Sequence, residues 1–321
     1  MEKIRCYLKV IIILAVICLS HLTGCRDQKH VNNKKTQKLF SLLSPDHTGI
    51  YFENTITRTN EQNIFIYQDF HSGVGVGIGD INNDGLPDIY FAGNQVRDRL
   101  YLNLGNLKFK DITESAGILD KGGWSTGVNF IVLNGDGYND IFVSKSLYDD
   151  KPYLRQNELY INNGDLTFTE SAGKYMLADT LRTMQTSFFD YDKDGDFDVF
   201  IISQPPNPGW FSPLQEKMYF SPEITYRFYN NTGTVFEDVT SSANVENVGY
   251  GLSSVVGDFN NDGWPDLYVA NDYEAPDFFY MNNGDGTFTN KANEYLKHMS
   301  FSSMGSDVGD INNDGLLDLV V

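Results

Sequence analysis

The sequence predicts an all-β fold, a β-propeller of repeated antiparallel blades that carry calcium loops. A nine-residue acidic loop occurs five times, with successive starts 52, 58, 68 and 52 residues apart. A short apolar run follows every copy, a β-hairpin pattern follows four of them, and no convincing amphipathic helix interrupts the periods. Small antiparallel sheets repeated at this spacing favour radially packed blades, which leave only short sheet edges exposed.

The acidic loop has the pattern Asp-x-Asn/Asp-x-Asp-Gly-x-x-Asp. Calcium prefers six to eight oxygen ligands, and the first, third, fifth and ninth positions supply side-chain oxygens while the seventh offers its carbonyl. The glycine at the sixth position permits the positive φ that lets the chain wrap around an ion. The predicted calcium ligands are Asp80, Asn82, Asp84, Asp88, Asn134, Asp136, Asp140, Asp190, Asp192, Asp194, Asp198, Asp258, Asn260, Asp262, Asp266, Asp310, Asn312, Asp314 and Asp318.

Two other kinds of loop share parts of this pattern. An EF-hand needs an acidic residue at loop position twelve, where this chain has apolar residues such as Phe91 and Val269, so that class is excluded. Clusters of Asp, Asn and Gly also form plain turns, although five copies in phase favour metal binding. The second copy has Val132 at its first position, so we expect the weakest site there unless Asn129 or Asn139 supplies the missing oxygen.

Each loop leads directly into a run that reads as a buried strand. These runs are Ile89–Phe91, Ile141–Val143, Val199–Ile202, Leu267–Val269 and Leu319–Val321. A Leu-Tyr-x-Asn type of segment followed by a glycine and a phenylalanine then predicts a hairpin, which begins at Leu100, Leu159, Phe228 and Phe279. Every complete period therefore holds enough strands for a three- to four-stranded sheet.

These segments resemble a known family. The stretch Gly75–Asp80, the hairpin segment and the stretch Asp111–Gly117 are similar to the VCBS/FG-GAP repeats of integrin α-like propellers. Trp124–Gly127 and Thr48–Asn54 resemble bacterial relatives of the cartilage acidic protein group, which usually carry an ASPIC/UnbV domain after the repeats. The resemblance covers residues 45–321 and implies a seven-bladed propeller, so we expect this chain to be an incomplete piece that stops within a blade.

The N-terminus predicts an exported lipoprotein. Lys3, Arg5 and Lys9 precede an apolar run of about ten residues, too short to remain as a membrane-spanning helix. The segment Leu22–Cys25 that follows resembles a lipobox, in which Cys25 would be cleaved and lipidated. We therefore expect a signal peptide at 1–25, a polar tether at 26–44 and the propeller at 45–321, anchored by lipid in the bacterial cell envelope, in the outer membrane.

Charge and cysteine content limit the possible partners. The net charge is −19, and because residues 1–25 contribute +2, the remainder carries −21. Such a field repels phosphate backbones, so we expect no nucleic-acid partner. All three cysteines precede residue 26, which leaves the rest of the chain without disulfides despite its predicted export.

No catalytic constellation is expected. Gly123–Gly127 fits Gly-x-Ser-x-Gly, but it leads into a predicted strand rather than a helix, and His298 is the only later histidine. The sequence therefore predicts a non-enzymatic scaffold that binds a protein or glycan, with Trp210 and Phe211 as candidate surface aromatics or as a cover for a blade end. The alternative is that the chain is part of a larger envelope enzyme that processes polysaccharide or protein.

Overall fold

The structure is a computed structural model that describes residues 39–205, 226–272 and 275–321. Residues 44–321 form one compact unit. The predicted signal peptide, Cys25, most of the tether, Trp210 and Phe211 lie outside the described residues. No helix in the described part of the chain is long and apolar enough to cross a membrane. The helical elements there are helix α1 (Pro45–Thr48), helix α2 (Ala292–Tyr295) and two 3₁₀ turns (Gln68–His71 and Pro152–Leu154).

All other regular structure in the described residues is antiparallel β-sheet, in four sheets of four strands and one of two, which we call blades one to five. Neighbouring strands within each blade are consecutive in the sequence. The strands of the first two blades are β1 Val76–Gly79, β2 Asp88–Phe91, β3 Arg99–Asn103, β4 Phe109–Asp111, β5 Trp124–Ile131, β6 Asp140–Ser146, β7 Glu158–Asn162 and β8 Phe168–Glu170. Those of the other three are β9 Arg182–Phe189, β10 Asp198–Gln204, β11 Arg227–Asn231, β12 Phe236–Asp238, β13 Gly251–Gly257, β14 Asp266–Asn271, β15 Phe278–Asn282, β16 Phe288–Asn290, β17 Asp307–Gly309 and β18 Asp318–Val320.

The core lies between successive blades rather than within one. Between blades one and two, Tyr90 and Leu100 pack against Ile141, Val143 and Tyr160, all of which are fully buried. Similar clusters fill the other three junctions. The second strands of blades two, three and four are covered on both faces, since every residue of β6, β10 and β14 is buried, and each contains an apolar run such as Ile141–Val143.

Glycines in β1 set the distance between blades one and two. A Cβ at Gly77 or Gly79 would lie 2.7 and 2.5 Å from ring atoms of Phe130 in β5, closer than real side chains approach. This part of the glycine-rich stretch therefore serves strand packing, as its alternation with Val and Ile predicts. The predicted class is confirmed: the chain is an all-β array of propeller-type blades.

Candidate metal centre

The five acidic loops occupy one equivalent position. Each connects the first strand of its blade to the second, as residues 80–88 do between β1 and β2. The loops therefore share one end of their sheets. The sixth-position glycine has φ between 82° and 98° in all five, as the sequence predicts. The fourth position is also left-handed, which sequence reasoning missed although Asn and Gly are typical there; these residues are Asn83, Gly135, Lys193, Asn261 and Asn313.

The ninth-position aspartate has the same geometry in the first four loops. In the first, Asp88 is buried, and its two oxygens accept hydrogen bonds from the backbone N–H groups of Ile81 (2.9 Å) and Asn103 (2.7 Å). Burial raises the pKa of Asp140 and Asp266 to about 6 and that of Asp198 to about 7, although the backbone bonds oppose it. Each oxygen retains a second lone pair, so these carboxylates can fix the loop and still face a cation.

The first, third and fifth positions curl around a common centre. In the first loop, Asp80 accepts from the backbone N–H groups of Asp84 (3.2 Å) and Gly85 (2.7 Å). The amide of Asn82 donates to Asp84 at 3.0 Å, which partly compensates the carboxylate charge. The fourth loop repeats this arrangement with Asp258, Asn260 and Asp262, and the fifth repeats the backbone part of it with Asp310, Asn312 and Asp314.

The third loop, residues 190–198, concentrates the most negative charge. Asp190, Asp192 and Asp194 each offer a carboxylate oxygen within 4.8 Å of the others. One oxygen of Asp190 and one of Asp196 are buried without a hydrogen-bond partner. Burial first, then repulsion from Asp194, Asp192 and Asp190, raises the pKa of Asp196 to about 6. Such a set of hard, unneutralised oxygens fits calcium better than a simple turn.

The one lysine of the third loop does not neutralise this cluster. The Lys193 ammonium lies 4.3 Å from the ring centre of Trp264, which belongs to the fourth loop. A cation over an aromatic face is attracted by the ring quadrupole. Lys193 thus links two neighbouring loops and leaves the aspartates available to a metal ion.

The second loop has Val132 at its first position. It therefore lacks the carboxylate that accepts a hydrogen bond from the sixth-position glycine in the other four loops. Asn134 and Asp136 are hydrogen-bonded to each other as in the first loop, and Asp140 accepts from Leu133 and Asn162. Both expected substitutes for Val132 donate their amide N–H groups to carbonyls outside this loop. The Asn129 amide donates to Thr186 O, and that of Asn139 donates to Asp80 O in the first loop.

In the first four blades, an asparagine at the end of the third strand locks the loop to its hairpin, a role that sequence reasoning missed. In blade two, the Asn162 amide donates to Asn139 O (3.1 Å) and to Ile81 O of blade one (2.8 Å). Its side-chain oxygen accepts from the N–H of Gly164 at 2.9 Å. The repeated Asn of the Leu-Tyr-x-Asn motif was the available signal. The equivalent residues are Asn103, Asn231 and Asn282.

A second acidic cluster, absent from the sequence predictions, holds its own cation. Asp98, Asp120 and Glu158 are buried and bring carboxylate oxygens within 4.8 Å of one another. The buried Lys145 ammonium lies 3.2 Å from Asp120, 3.3 Å from Glu158 and 3.7 Å from Asp98. We call these four residues the lysine cluster; it is an ion-pair network between blades one and two, and the ammonium occupies the place a metal ion would take. The sequence signal for the lysine cluster is Lys145 itself, a lysine within the otherwise uncharged residues 141–148.

The electrostatics of the lysine cluster follow from burial. Burial raises the pKa of Asp98 to about 6, against the opposing effect of Lys145. Burial alone would lower the pKa of Lys145, but the three carboxylates raise it above its ordinary value. The hydroxyl of Ser125, the serine of the Gly-x-Ser-x-Gly segment, is buried within strand β5 and donates to both oxygens of Asp98 at 3.0 and 3.1 Å.

Comparison with known proteins shows which family these repeats resemble. The FG-GAP-like repeat family matches residues 80–143, 133–201 and 258–321, together more than half of the chain. Cartilage acidic protein 1 is 26% identical over 202 residues in Xenopus tropicalis and 25% identical over 202 residues in Homo sapiens, covering 63% of this chain and 29% and 28% of those proteins. A T-cell immunomodulatory protein homolog of Plasmodium yoelii yoelii is 24% identical over 275 residues, covering 75% of this chain and 33% of that protein.

The chain thus spans about a third or less of the length of the curated relatives it matches. Among solved structures, a lectin of Agrocybe aegerita that recognises non-reducing terminal N-acetylglucosamine has 19% identity and a TM-score of 0.43, over 75% of this chain and 58% of the lectin. The three repeat matches coincide with the acidic loops and the strands that follow them. On those matches, the chain belongs to the FG-GAP-like repeat family.

Proposed function

We propose that this protein is a calcium-stabilised binding scaffold of the bacterial cell envelope, anchored by a lipid on Cys25, that presents its loops to a protein or glycan partner and performs no catalysis. The observation that carries the proposal is the third loop. Its three clustered aspartates and two buried, unpartnered oxygens would repel one another in the folded chain unless a cation joined them. FG-GAP propellers lend themselves to such scaffolding because rigid blades hold variable loops.

The residues of the loops divide the work of holding calcium. The ninth-position aspartate anchors the loop to the following hairpin by two backbone hydrogen bonds. The first-position aspartate closes the turn on the sixth-position glycine. When bound, calcium would supply the positive charge that lets these carboxylates lie close together. Since the repeats beyond residue 25 contain no cysteine, such sites would replace disulfides as braces of the loops.

Calcium removal tests this proposal. A ligand at a hundred times its Kd stabilises the folded state by about 2.7 kcal/mol per site when it binds that state alone. We expect excess EGTA to lower the thermal midpoint by several degrees, and calcium to restore it. Asp192→Asn with Asp194→Asn should shrink this shift, whereas Asp165→Asn, in an exposed hairpin, should not. An unchanged midpoint in EGTA would mean that the loops are only turns.

A further inference from the structure

A polar cavity lies at the end of blade two opposite its acidic loop. The cavity has a volume of about 510 Å³, within the roughly 300–1,000 Å³ typical of small-molecule sites. It lies between residues 59–66, residues 147–151 and the start of β9. Strand β6 separates it from the second acidic loop by seven residues, roughly 20 Å. It is therefore distinct from the candidate metal centre.

Most of the residues that line the cavity have hydrogen-bonding side chains. Only Ile66 and Leu147 are aliphatic; the other lining residues are Thr59, Glu61, Gln62, Tyr148, Asp149, Asp150, Lys151 and Arg182. Three acidic and two basic side chains nearly balance, so the cavity has no basic excess for a phosphate or a polyanion. These properties fit a neutral ligand with many hydroxyl groups.

Several of these groups are already held in position. The Gln62 amide donates to the Tyr148 hydroxyl at 2.7 Å, and the Gln62 carbonyl accepts a short hydrogen bond from Gln95. Asp149 is fixed by Arg155 at 2.6 Å and by Arg182, yet its side chain remains 53% exposed. A site whose polar groups are fixed before the ligand arrives loses less entropy on binding.

The same groups retain hydrogen-bonding capacity for a ligand. Among the described residues, the Tyr148 hydroxyl accepts from Gln62 and keeps its own hydrogen to donate. The carboxylates of Glu61 and Asp150 and the ammonium of Lys151 have no hydrogen bond or ion pair there. The cavity thus offers both donors and acceptors, which suits sugar hydroxyls because each hydroxyl both donates and accepts.

The backbone beside the cavity is unusual in a way that sets the position of Tyr148. Leu147 and Tyr148 have φ of 62° and 40°, a left-handed pair without glycine. Leu147 is buried against Tyr67, Phe70 and Trp124, which holds the turn in place. Strained residues that the surrounding structure fixes in this way cluster at binding sites.

We propose that this polar cavity binds a neutral oligosaccharide, with Gln62, Tyr148 and Asp149 as its main hydrogen-bonding residues. The inference rests on the proposed scaffold function and assigns it a ligand class and a site. Direct contact with calcium is not part of it, because the acidic loops lie at the other end of the blades.

The test is a printed array of neutral, sialylated and sulfated oligosaccharides together with basic peptides, probed with the full chain in calcium. We expect binding to neutral glycans, and at least a tenfold loss of affinity in Gln62→Ala and in Tyr148→Phe, with an unchanged thermal midpoint in the conservative Tyr148→Phe. Tyr153→Phe is the matched control because its ring is 64% exposed and it does not line the cavity.

Absence of neutral-glycan binding, binding to basic peptides or anionic glycans instead, or full binding by both variants would overturn the inference. Its failure is distinguishable from failure of the proposed function. A chain that loses stability in EGTA but binds no glycan keeps the calcium scaffold and loses the cavity site. A chain that binds glycan through Gln62 and Tyr148 but keeps its thermal midpoint in EGTA would retain the cavity site and refute the calcium scaffold.

Discussion

Replacing Lys145 by methionine tests whether the lysine cluster holds blades one and two together. The substitution keeps the length of the side chain and removes the only cation of the cluster, which leaves Asp98, Asp120 and Glu158 buried around an uncharged group. Removing one partner of a buried ion pair costs about 3–5 kcal/mol. For a domain of this size we expect a fall in the thermal midpoint of roughly 10 °C at pH 7.5.

Acid should relieve part of this loss. The pKa of Asp98 is raised by burial to about 6 even with Lys145 present, so the folded state takes up a proton that the unfolded state binds only at lower pH. Stability that depends on this proton is present at low pH and is lost as pH rises through about 6. Lys145 lowers the pKa of Asp98, so without the ammonium that pKa rises further, and the stability deficit of Lys145→Met should narrow between pH 7.5 and 5.5.

The assay is thermal or urea unfolding in saturating calcium, which keeps the acidic loops in one state. Lys121→Met is the control, because its ion pair with Glu170 at 2.9 Å is 47% exposed at the lysine and is worth about 0–1 kcal/mol. Lys145→Met combined with Glu158→Gln should recover part of the loss. A Lys145→Met protein as stable as Lys121→Met at pH 7.5, or one whose deficit widens on acidification, would refute the reasoning.

The remaining predictions concern the metal loops and the lipid. In crystals grown with limiting calcium or a lanthanide, anomalous scattering should show the Val132 loop as the least occupied site, and Val132→Asp should strengthen binding there; full occupancy of that loop beside empty regular loops would contradict the count of ligands. In calcium-free buffer the midpoint should rise as pH falls from 8 to 5.5, because burial raises the pKa values of Asp140, Asp198 and Asp266, and calcium should add more stability at pH 7.5 than at pH 5.5, since protons and calcium compete for these carboxylates. Calcium stabilisation that is independent of pH would argue against that competition. In its host the protein should partition with membranes and incorporate labelled palmitate, and Cys25→Ala should abolish both; an unlabelled, soluble wild type would disprove the lipid anchor.

Much of the site could be predicted from the sequence because its chemistry is local. The nine-residue loop carries its own turn, since the glycine at position six and the carboxylates that close on it are neighbours in the chain. The run that follows each loop is apolar on both faces, which predicts a strand covered on both sides. Repetition then strengthens every local signal, as the five copies at equivalent positions in five sheets demonstrate.

Contacts between blades could not be predicted, because they join residues far apart in the sequence. Lys145 looks like a solvent-exposed residue at a strand end until Asp98 and Asp120, 47 and 25 residues earlier, are brought beside it. The Asn162 amide donates a hydrogen bond to Ile81 O, 81 residues earlier in the sequence. The Lys193 ammonium lies over the ring of Trp264 in the next blade.

By itself, the sequence determined the repeat and the all-β class, and it predicts the residues proposed to hold calcium, since each depends on a few neighbouring residues and on their periodic recurrence. Tertiary structure alone decided which carboxylates share a cluster, which of these holds a lysine in place of a metal ion, and where Gln62 and Tyr148 meet around a cavity. The physical reason is that burial and charge pairing depend on the packing of one blade against the next, which no single period of the sequence contains.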